Sequence, residues 1–197
     1  RPGTPEYDLI IRDIDDIATE LARFRDAGIP VLWRPLHEAG GGWFWWGAHG
    51  AEPCLALWDI LFERLKNHHG LHNLIWVWST PEEDWYPGND KVDIFGYDSY
   101  PGSFNYGNQR NAFDGLKEIS NGEKLIAMTE NGPIPDVDMC LDQGAPWLYF
   151  MSWSDLVTQQ NSEDHIREVF THNDVISLES DNIRTGTEWR SSLYPDN

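Results

Sequence analysis

The chain has 197 residues, which is enough for one domain with a sizeable hydrophobic core. Its 14 basic and 33 acidic residues give a formal net charge of −19, which argues against nucleic acid or an anionic membrane as partner and favours a neutral ligand. The 11 tryptophans exceed what a core of this size usually needs, and no apolar run reaches the length of about 18 residues that spans a membrane.

The cysteines and the first residues say little about processing. Cys54 and Cys140 are too few and too far apart to indicate a disulfide framework, so two free buried thiols and one bridge are both open. No signal peptide is visible, but the chain begins at Arg1 without a methionine. We therefore expect the true N-terminus to be missing.

The first predicted elements are a loop over residues 1–5 and a helix over residues 8–27. Apolar side chains recur in that helix at helical spacing. Three aspartates between them are expected to face water: Asp13, Asp15 and Asp16. Gly28 ends the helix.

The next element is a strand-like apolar run that begins at Val31 and leads to His37 and Glu38. A buried strand that stops at a carboxylic acid places that acid at the rim of a sheet. A glycine-rich loop follows, which lets the backbone turn sharply, and then four aromatic residues, 43–46. Sugar rings are apolar on their faces, so aromatic side chains beside a carboxylate favour a carbohydrate site. The alternative is that Glu38 pairs with Arg34 and the aromatics belong to the core.

The rest of the chain continues the alternation of helices and strands. The predicted elements are a helix over 52–69, strands over 74–78 and 92–100, a helix over 109–120, a strand over 125–130, one or two helical turns in 136–143, a strand over 147–153, a helix over 162–170, an extended piece at 175–178 and a polar tail from residue 184. Trp76 and Trp78 are expected to fill the layer between strands and helices. Strands that are apolar throughout predict an α/β protein with a parallel sheet and helical crossovers.

Polar side chains stand where each predicted strand ends: His37 and Glu38, Ser79, Asp98 to Tyr100, Glu130 and Asn131, and Ser152 to Ser154. Functional residues at the carboxyl ends of parallel strands are typical of a (β/α)8 TIM barrel, which has eight strands. Only five strands are readable, or six with residues 175–178. An open sheet with its ligand at a topological switch point is the alternative, although no phosphate-binding glycine loop of the required form is present.

Glu38 and Glu130 are the carboxylic acids that follow two of these strands. Two carboxylates that face each other across a sugar can hydrolyse a glycosidic bond, because one protonates the leaving oxygen and the other attacks the anomeric carbon or activates water. Their environments must then hold the two acids in different protonation states. Spacing alone only suggests this pair, since acids at strand ends are common.

Several segments resemble glycoside hydrolase family 26, a family that consists mainly of endo-β-1,4-mannanases built on the eight-stranded barrel. The matching segments, in the family's order, are Arg-Pro-Leu-His-Glu at 34–38, Gly-Trp-Phe-Trp-Trp-Gly at 42–47, Asp-Ile-Phe-Gly-Tyr-Asp-Ser-Tyr at 93–100, Thr-Glu-Asn-Gly at 129–132 and Phe-Met-Ser-Trp-Ser at 150–154. The resemblance runs from about residue 5 to residue 180. It implies that the readable strands correspond to strands 4–8 of the barrel.

The resemblance also implies roles for individual residues. Glu38 matches the general acid/base and Glu130 the nucleophile of a retaining mechanism. The implied substrate-binding residues are His37 before the acid, Trp43 as an aromatic floor, Asp98 with Tyr100, whose hydroxyl orients the nucleophile, and Trp153 under the sugar. A non-proline cis peptide bond after Trp153 is expected, and no cofactor or metal is implied.

By the same resemblance, residues 1–197 form the C-terminal part of a single catalytic barrel whose first three strands are absent from this chain. We expect another chain or segment to cover the strands near residues 31–36 and 148–151, because a half-barrel would leave strand edges unpaired. The expected substrate is β-mannan, as polysaccharide or oligosaccharide, and the expected location is extracellular or at the cell surface. The alternatives are a β-1,3-xylanase or mixed-linkage β-glucanase of the same family, a carbohydrate-binding protein without catalysis, and a structural domain with an aromatic core.

Two other groups of residues have weaker patterns. His68, His69 and His72 could bind a metal, but they lie at a helix end, where histidine is favoured by the helix dipole. The acids at 82–84, next to Trp85 and Tyr86, either line a sugar cleft or form a solvated loop, and the loop is the simpler interpretation.

Overall fold

The computed structural model describes residues 2–178, and helices and strands alternate along them. The elements are α1 (Pro5–Asp26), β1 (Val31–Trp33), α2 (Ala51–Phe62), β2 (Leu74–Trp78), β3 (Ile94–Ser99), α3 (Arg110–Ile119), β4 (Leu125–Asn131), α4 (Val137–Asp142), β5 (Phe150–Ser152), α5 (Ser154–Gln160) and α6 (Glu163–Thr171). Short 3₁₀ turns cover Ala39–Gly41 and Glu83–Trp85, and a π-helical turn, Glu63–His68, continues α2. The polar tail predicted from residue 184 lies outside the described residues.

The chain forms two compact units. The first consists of residues 2–97 and 115–127, and the second of residues 98–114 and 128–178, so that β3 and β4 contribute to both. In the first unit β1 pairs with β2 and β2 with β3, and in the second β4 pairs with β5; all of these pairs are parallel. Neighbours in the sheet are therefore neighbours in the chain, as expected when each crossover returns beside the strand it left.

Tryptophans form the centre of the first unit. Trp58 of α2 is fully buried, and its ring lies edge-on to Trp76 and Trp78 of β2, with centroid distances of 5.2 and 5.0 Å. Edge-to-face packing of aromatic rings adds to the free energy gained from their burial. The prediction that Trp76 and Trp78 fill the layer between strands and helices is confirmed.

Helix α1 begins at an N-cap, Thr4, whose hydroxyl accepts a hydrogen bond from the Tyr7 amide.

Asp15, in the middle of α1, was expected to face water, but this was wrong. Both of its carboxylate oxygens accept hydrogen bonds from Arg64, at 2.7 and 2.8 Å, and His69 lies 2.7 Å from one of them. The bond to Arg64, followed by that to His69, lowers the pKa of Asp15 below its usual range.

The structure departs from the predicted elements near the end of the described chain. Strand β5 is only three residues long, α5 was not predicted, and residues 175–177 form neither strand nor helix. Leu32 in β1 and Met151 in β5 have side chains that are about half exposed. No helix within residues 2–178 combines the length and the apolar character that a membrane crossing requires.

Cys54 and Cys140 are free and buried, so of the two alternatives left open by the sequence, two free thiols rather than one disulfide bridge are present. Burial raises the pKa of the Cys54 thiol to about 11. Burial, together with the nearby charge of Asp136, raises the pKa of the Cys140 thiol to about 12. Both thiols are therefore protonated at neutral pH and are poor nucleophiles.

Candidate active site

The backbone that carries Glu38 turns sharply after β1. Leu36 and Glu38 both have left-handed conformations, with φ of +56° and +51°. Such conformations are costly for residues with a side chain and persist only where the surroundings enforce them. Two hydrogen bonds do so here: the Trp46 indole donates to the His37 carbonyl at 2.9 Å, and the Ala39 amide donates to the Thr80 hydroxyl at 2.9 Å.

The carboxylate of Glu38 is partly buried, and it accepts a hydrogen bond from a tryptophan of its own loop. The Trp43 Nε1 donates to Glu38 Oε2 at 3.2 Å, while 66% of the Trp43 side chain stays exposed. Gly42, between them, has a φ of +72°, which glycine adopts without strain. The sequence-predicted acid and the sequence-predicted aromatic platform are thus brought into direct contact.

His37 is supported by the other aromatics of the run. Its ring lies 4.7 Å from Phe44 and 5.7 Å from Trp46, and these two rings stack at 4.4 Å. Trp45 is 65% exposed. The four aromatics therefore divide into a pair that holds His37 and a pair that presents its faces at the surface of the unit.

Glu130 lies in the second unit, near the end of β4, and only 5% of it is exposed. The Tyr100 hydroxyl donates to Glu130 Oε2 at 2.7 Å, and the Trp153 Nε1 donates to the same oxygen at 3.0 Å. The Trp153 Nε1 also lies 2.8 Å from the Tyr100 oxygen. The structure therefore brings together three residues that the sequence placed on three different strand ends.

The surroundings of Tyr100 keep its hydroxyl in the form that can donate. Burial, and then the hydrogen bond to Glu130, raise the pKa of Tyr100 well above its usual value. A neutral phenol next to a carboxylate donates a strong, charge-assisted hydrogen bond. The two donors on Oε2 fix the orientation of the Glu130 carboxylate and stabilise its negative charge.

Asp98 is placed differently from Tyr100, although the two residues are close in sequence. Its Oδ1 accepts a hydrogen bond of 2.6 Å from the Thr129 hydroxyl, the residue before Glu130. Asp98 thus holds the end of β4. The peptide bond between Trp153 and Ser154 is trans, so the expected cis bond is wrong.

Sequence reasoning missed Asn161, which organises the loop after Glu130. This buried side chain accepts a hydrogen bond from the Ile134 amide at 2.7 Å and donates to the carbonyls of Gly132 and Val157 at 3.2 and 3.0 Å. Asn131 donates to the Ser152 hydroxyl at 2.6 Å. The only signal in the sequence was an asparagine before a helix start, which is common at helix caps.

The weaker sequence patterns also have defined positions. His69 lies against Asp15, and its ring is edge-on to that of His68 at 4.8 Å. Glu82 is exposed, and its carboxylate lies against the backbone of Gly40, within the loop that carries Glu38. Arg34 donates to the Ser79 hydroxyl at 3.0 Å.

Comparison with known proteins assigns a relationship to this chain. The model of Glycosyl hydrolase family 26 matches residues 1–180. A mannan endo-1,4-beta-mannosidase of Thermothelomyces thermophilus is 45% identical over 176 residues, 88% of this chain and 36% of that protein. Mannan endo-1,4-beta-mannosidase B of a Piromyces species is 40% identical over 90% of this chain and 31% of that protein. The chain thus spans about a third of the length of these relatives.

Solved structures agree. The crystal structure of a Podospora anserina GH26-CBM35 β-(1,4)-mannanase aligns with 96% of this chain and 42% of its own, at a TM-score of 0.88 and 46% identity. A β-mannanase from a symbiotic protist of the termite Reticulitermes speratus, complexed with gluco-manno-oligosaccharide, aligns with 93% of this chain and 57% of its own, at a TM-score of 0.85 and 39% identity. The predicted fold class, parallel strands and helices of a (β/α)8 barrel, is confirmed.

Proposed function

Because the chain belongs to glycosyl hydrolase family 26, we propose that the protein is an endo-acting β-1,4-mannanase that cleaves mannan, glucomannan or galactomannan. The relatives named above are mannan endo-1,4-beta-mannosidases, and one of the similar structures holds a gluco-manno-oligosaccharide. We further propose an extracellular or cell-surface location, since an intact polysaccharide does not enter a cell.

We propose that Glu130 is the nucleophile. The observation that carries the proposal is the cluster of Tyr100, Glu130 and Trp153, in which one buried carboxylate oxygen accepts two hydrogen bonds. Such donors keep a carboxylate ionised and fixed in orientation, and a nucleophile needs both. Glu38 differs because it is partly exposed and its single described donor is an indole, as suits a group that gains and loses a proton in each cycle.

The proposed reaction has two steps with a covalent intermediate. Glu130 attacks the anomeric carbon while Glu38 gives its proton to the glycosidic oxygen, so the bond to the leaving sugar breaks and a glycosyl ester forms. Glu38, now a carboxylate, takes a proton from water, and the water oxygen attacks the anomeric carbon and displaces Glu130. Each step inverts the anomeric centre, and the cleavage as a whole retains its configuration.

Replacing Glu130 or Glu38, one at a time, in the complete protein tests these roles. Glu130→Ala should abolish turnover of both mannan and a dinitrophenyl β-mannoside, because both need the nucleophile. Glu38→Ala should lose activity on mannan but keep much of its kcat/KM on the dinitrophenyl substrate, since a good leaving group needs little protonation in the first step; the second step still needs Glu38 as a base, so kcat should fall on both substrates. Glu168→Ala is the matched control, because it removes an exposed glutamate from α6. Near-normal mannan turnover by either active-site variant would show that the assignment is wrong.

Two further measurements define the substrate and the stereochemistry. Initial rates on mannan, xylan and mixed-linkage β-glucan should be highest on mannan, whereas a preference for either of the others identifies the protein as a xylanase or glucanase of the same family. Proton NMR of the first product should show the β-anomer. A retaining mechanism requires the two carboxyl groups to be about 5–5.5 Å apart, and initial formation of the α-anomer would exclude it.

A further inference from the structure

The three glycines after Ala39 differ in what they require of the chain. Gly42 has a φ of +72°, so its backbone conformation favours glycine. Gly40 and Gly41 lie in the 3₁₀ turn, a right-handed conformation that residues with a side chain adopt readily. The backbone therefore does not explain why these two positions lack a side chain.

Their surroundings explain it for one of them. A methyl group on Gly41 would lie closer than van der Waals contact to three adjacent carbons of the Trp43 indole, Cζ2, Cη2 and Cζ3. The three atoms nearest to a methyl group on Gly40 would all belong to the Glu82 carboxylate, which is the far end of an exposed, flexible side chain. The indole thus rests directly on the backbone of Gly41, and only a residue without Cβ permits that position.

The position of the indole matters because of its hydrogen bond. The Trp43 Nε1 lies 3.2 Å from Glu38 Oε2, at the long end of the range for N–H···O bonds. A methyl group on Gly41 would displace the ring by on the order of an ångström, since carbon atoms approach no closer than about 3.5 Å. A displacement of that size removes the bond.

We propose that Gly41 is a positioning residue for Glu38 and acts through Trp43. Because Gly41 has no side chain, the Trp43 indole can pack against its backbone. In that position the indole N–H donates to the Glu38 carboxylate. This inference rests on the proposed role of Glu38 as the general acid/base. If the inference holds, catalysis requires glycine at position 41, whereas Gly40 can be replaced.

Gly41→Ala and Gly40→Ala form a matched pair, since each adds one methyl group to the same turn. Gly41→Ala should lower kcat/KM on mannan by between about 10- and 100-fold, and it should lower kcat/KM on the dinitrophenyl β-mannoside much less, because the first step on that substrate needs little protonation. Gly40→Ala should stay within about twofold of the parent on both substrates, and both variants should melt within a few degrees of the parent. A uniform loss on both substrates in Gly41→Ala, or an equal loss in Gly40→Ala, would overturn the proposal.

A double-mutant cycle tests whether the effect passes through the indole. In a Trp43→Ala background, adding Gly41→Ala should change kcat/KM on mannan by less than about twofold, because the group that the methyl displaces is absent. If Gly41→Ala costs as much there as in the parent, Gly41 acts by another route and the proposal fails.

A measurement without turnover separates this inference from the proposed function. In the ¹H–¹⁵N spectrum, the indole resonance that disappears in Trp43→Phe belongs to Trp43. Glu38→Ala should shift that resonance, because the acceptor is lost; Gly41→Ala should shift it as well, and Gly40→Ala should leave it unchanged. An unchanged resonance in Gly41→Ala would refute the positioning role, whereas a parent that does not cleave mannan would refute the proposed function alone.

Discussion

Replacing Tyr100 by phenylalanine removes a hydrogen-bond donor to Glu130 Oε2 and leaves the ring in place. In the parent the hydroxyl lies 2.7 Å from Glu130 Oε2, and Trp153 donates to the same oxygen from 3.0 Å. The variant therefore keeps the Trp153 donor and loses the phenol donor at this oxygen. The expected defect is a loss of orientation and charge stabilisation at Glu130, the proposed nucleophile, without a loss of the fold.

The size of the defect follows from the geometry. A hydrogen bond to a charged group contributes roughly 1.5–3 kcal/mol. The lower end applies to Tyr100, because 47% of the residue is exposed and water can replace part of the bond. About 1.4 kcal/mol corresponds to a tenfold change in rate, so kcat on mannan should fall roughly tenfold.

Tyr86→Phe is the matched control for the assay. The Tyr86 hydroxyl donates a bond of the same 2.7 Å length to Asn89 Oδ1, in a loop of the first unit. Its loss should lower the free energy of unfolding by about 0.5–1.5 kcal/mol and should leave kcat within twofold of the parent. If Tyr100→Phe also stays within twofold, or if both variants lose kcat equally, the assumed role of the Tyr100–Glu130 bond is wrong.

Three more outcomes follow from charge, strain and burial. Asp15→Asn should lower the melting temperature at pH 7, and the difference from the parent should shrink as the pH falls below about 4. The reason is that the pKa of Asp15 is lower in the folded protein than in the unfolded chain. Its contribution to stability is therefore present above the unfolded pKa and is lost as the pH falls towards the folded pKa. The free energy of unfolding of Glu38→Gly should be about 1 kcal/mol higher than that of Glu38→Ala, since glycine adopts the left-handed conformation at this position without strain and alanine does not. Iodoacetamide at pH 8 should spare Cys54 and Cys140 in the folded protein and label both in denaturant.

The fold was readable from the sequence where one physical signal dominated. Residues 74–78 are a continuous apolar run, and β2 has the predicted bounds. The prediction for β5 was too long: the strand begins at Phe150, and the Trp147 indole, in the segment before it, donates to the Asn108 carbonyl. Helix α5 was missed because Ser154–Gln160 is mostly polar and has no apolar periodicity.

The site was readable only in part, for a related reason. Strand-end acids found Glu38 and Glu130, and the family resemblance supplied their expected roles. Neither approach could distinguish Gly40 from Gly41, because the distinction depends on where the Trp43 ring rests. Neither identified Asn161, because two of its backbone partners, Ile134 and Gly132, are distant from it in the sequence.

Hydrolysis of the Asn161 side chain would reach the loop that follows Glu130. Asparagine followed by a small residue, as in Asn161-Ser162, is a sequence in which the side-chain amide can hydrolyse with release of ammonia. The product, aspartate, accepts hydrogen bonds but donates none when ionised. The Gly132 and Val157 carbonyls would then face a negative charge in place of an N–H donor. A single covalent change at the end of α5 would thereby loosen the loop that follows Glu130.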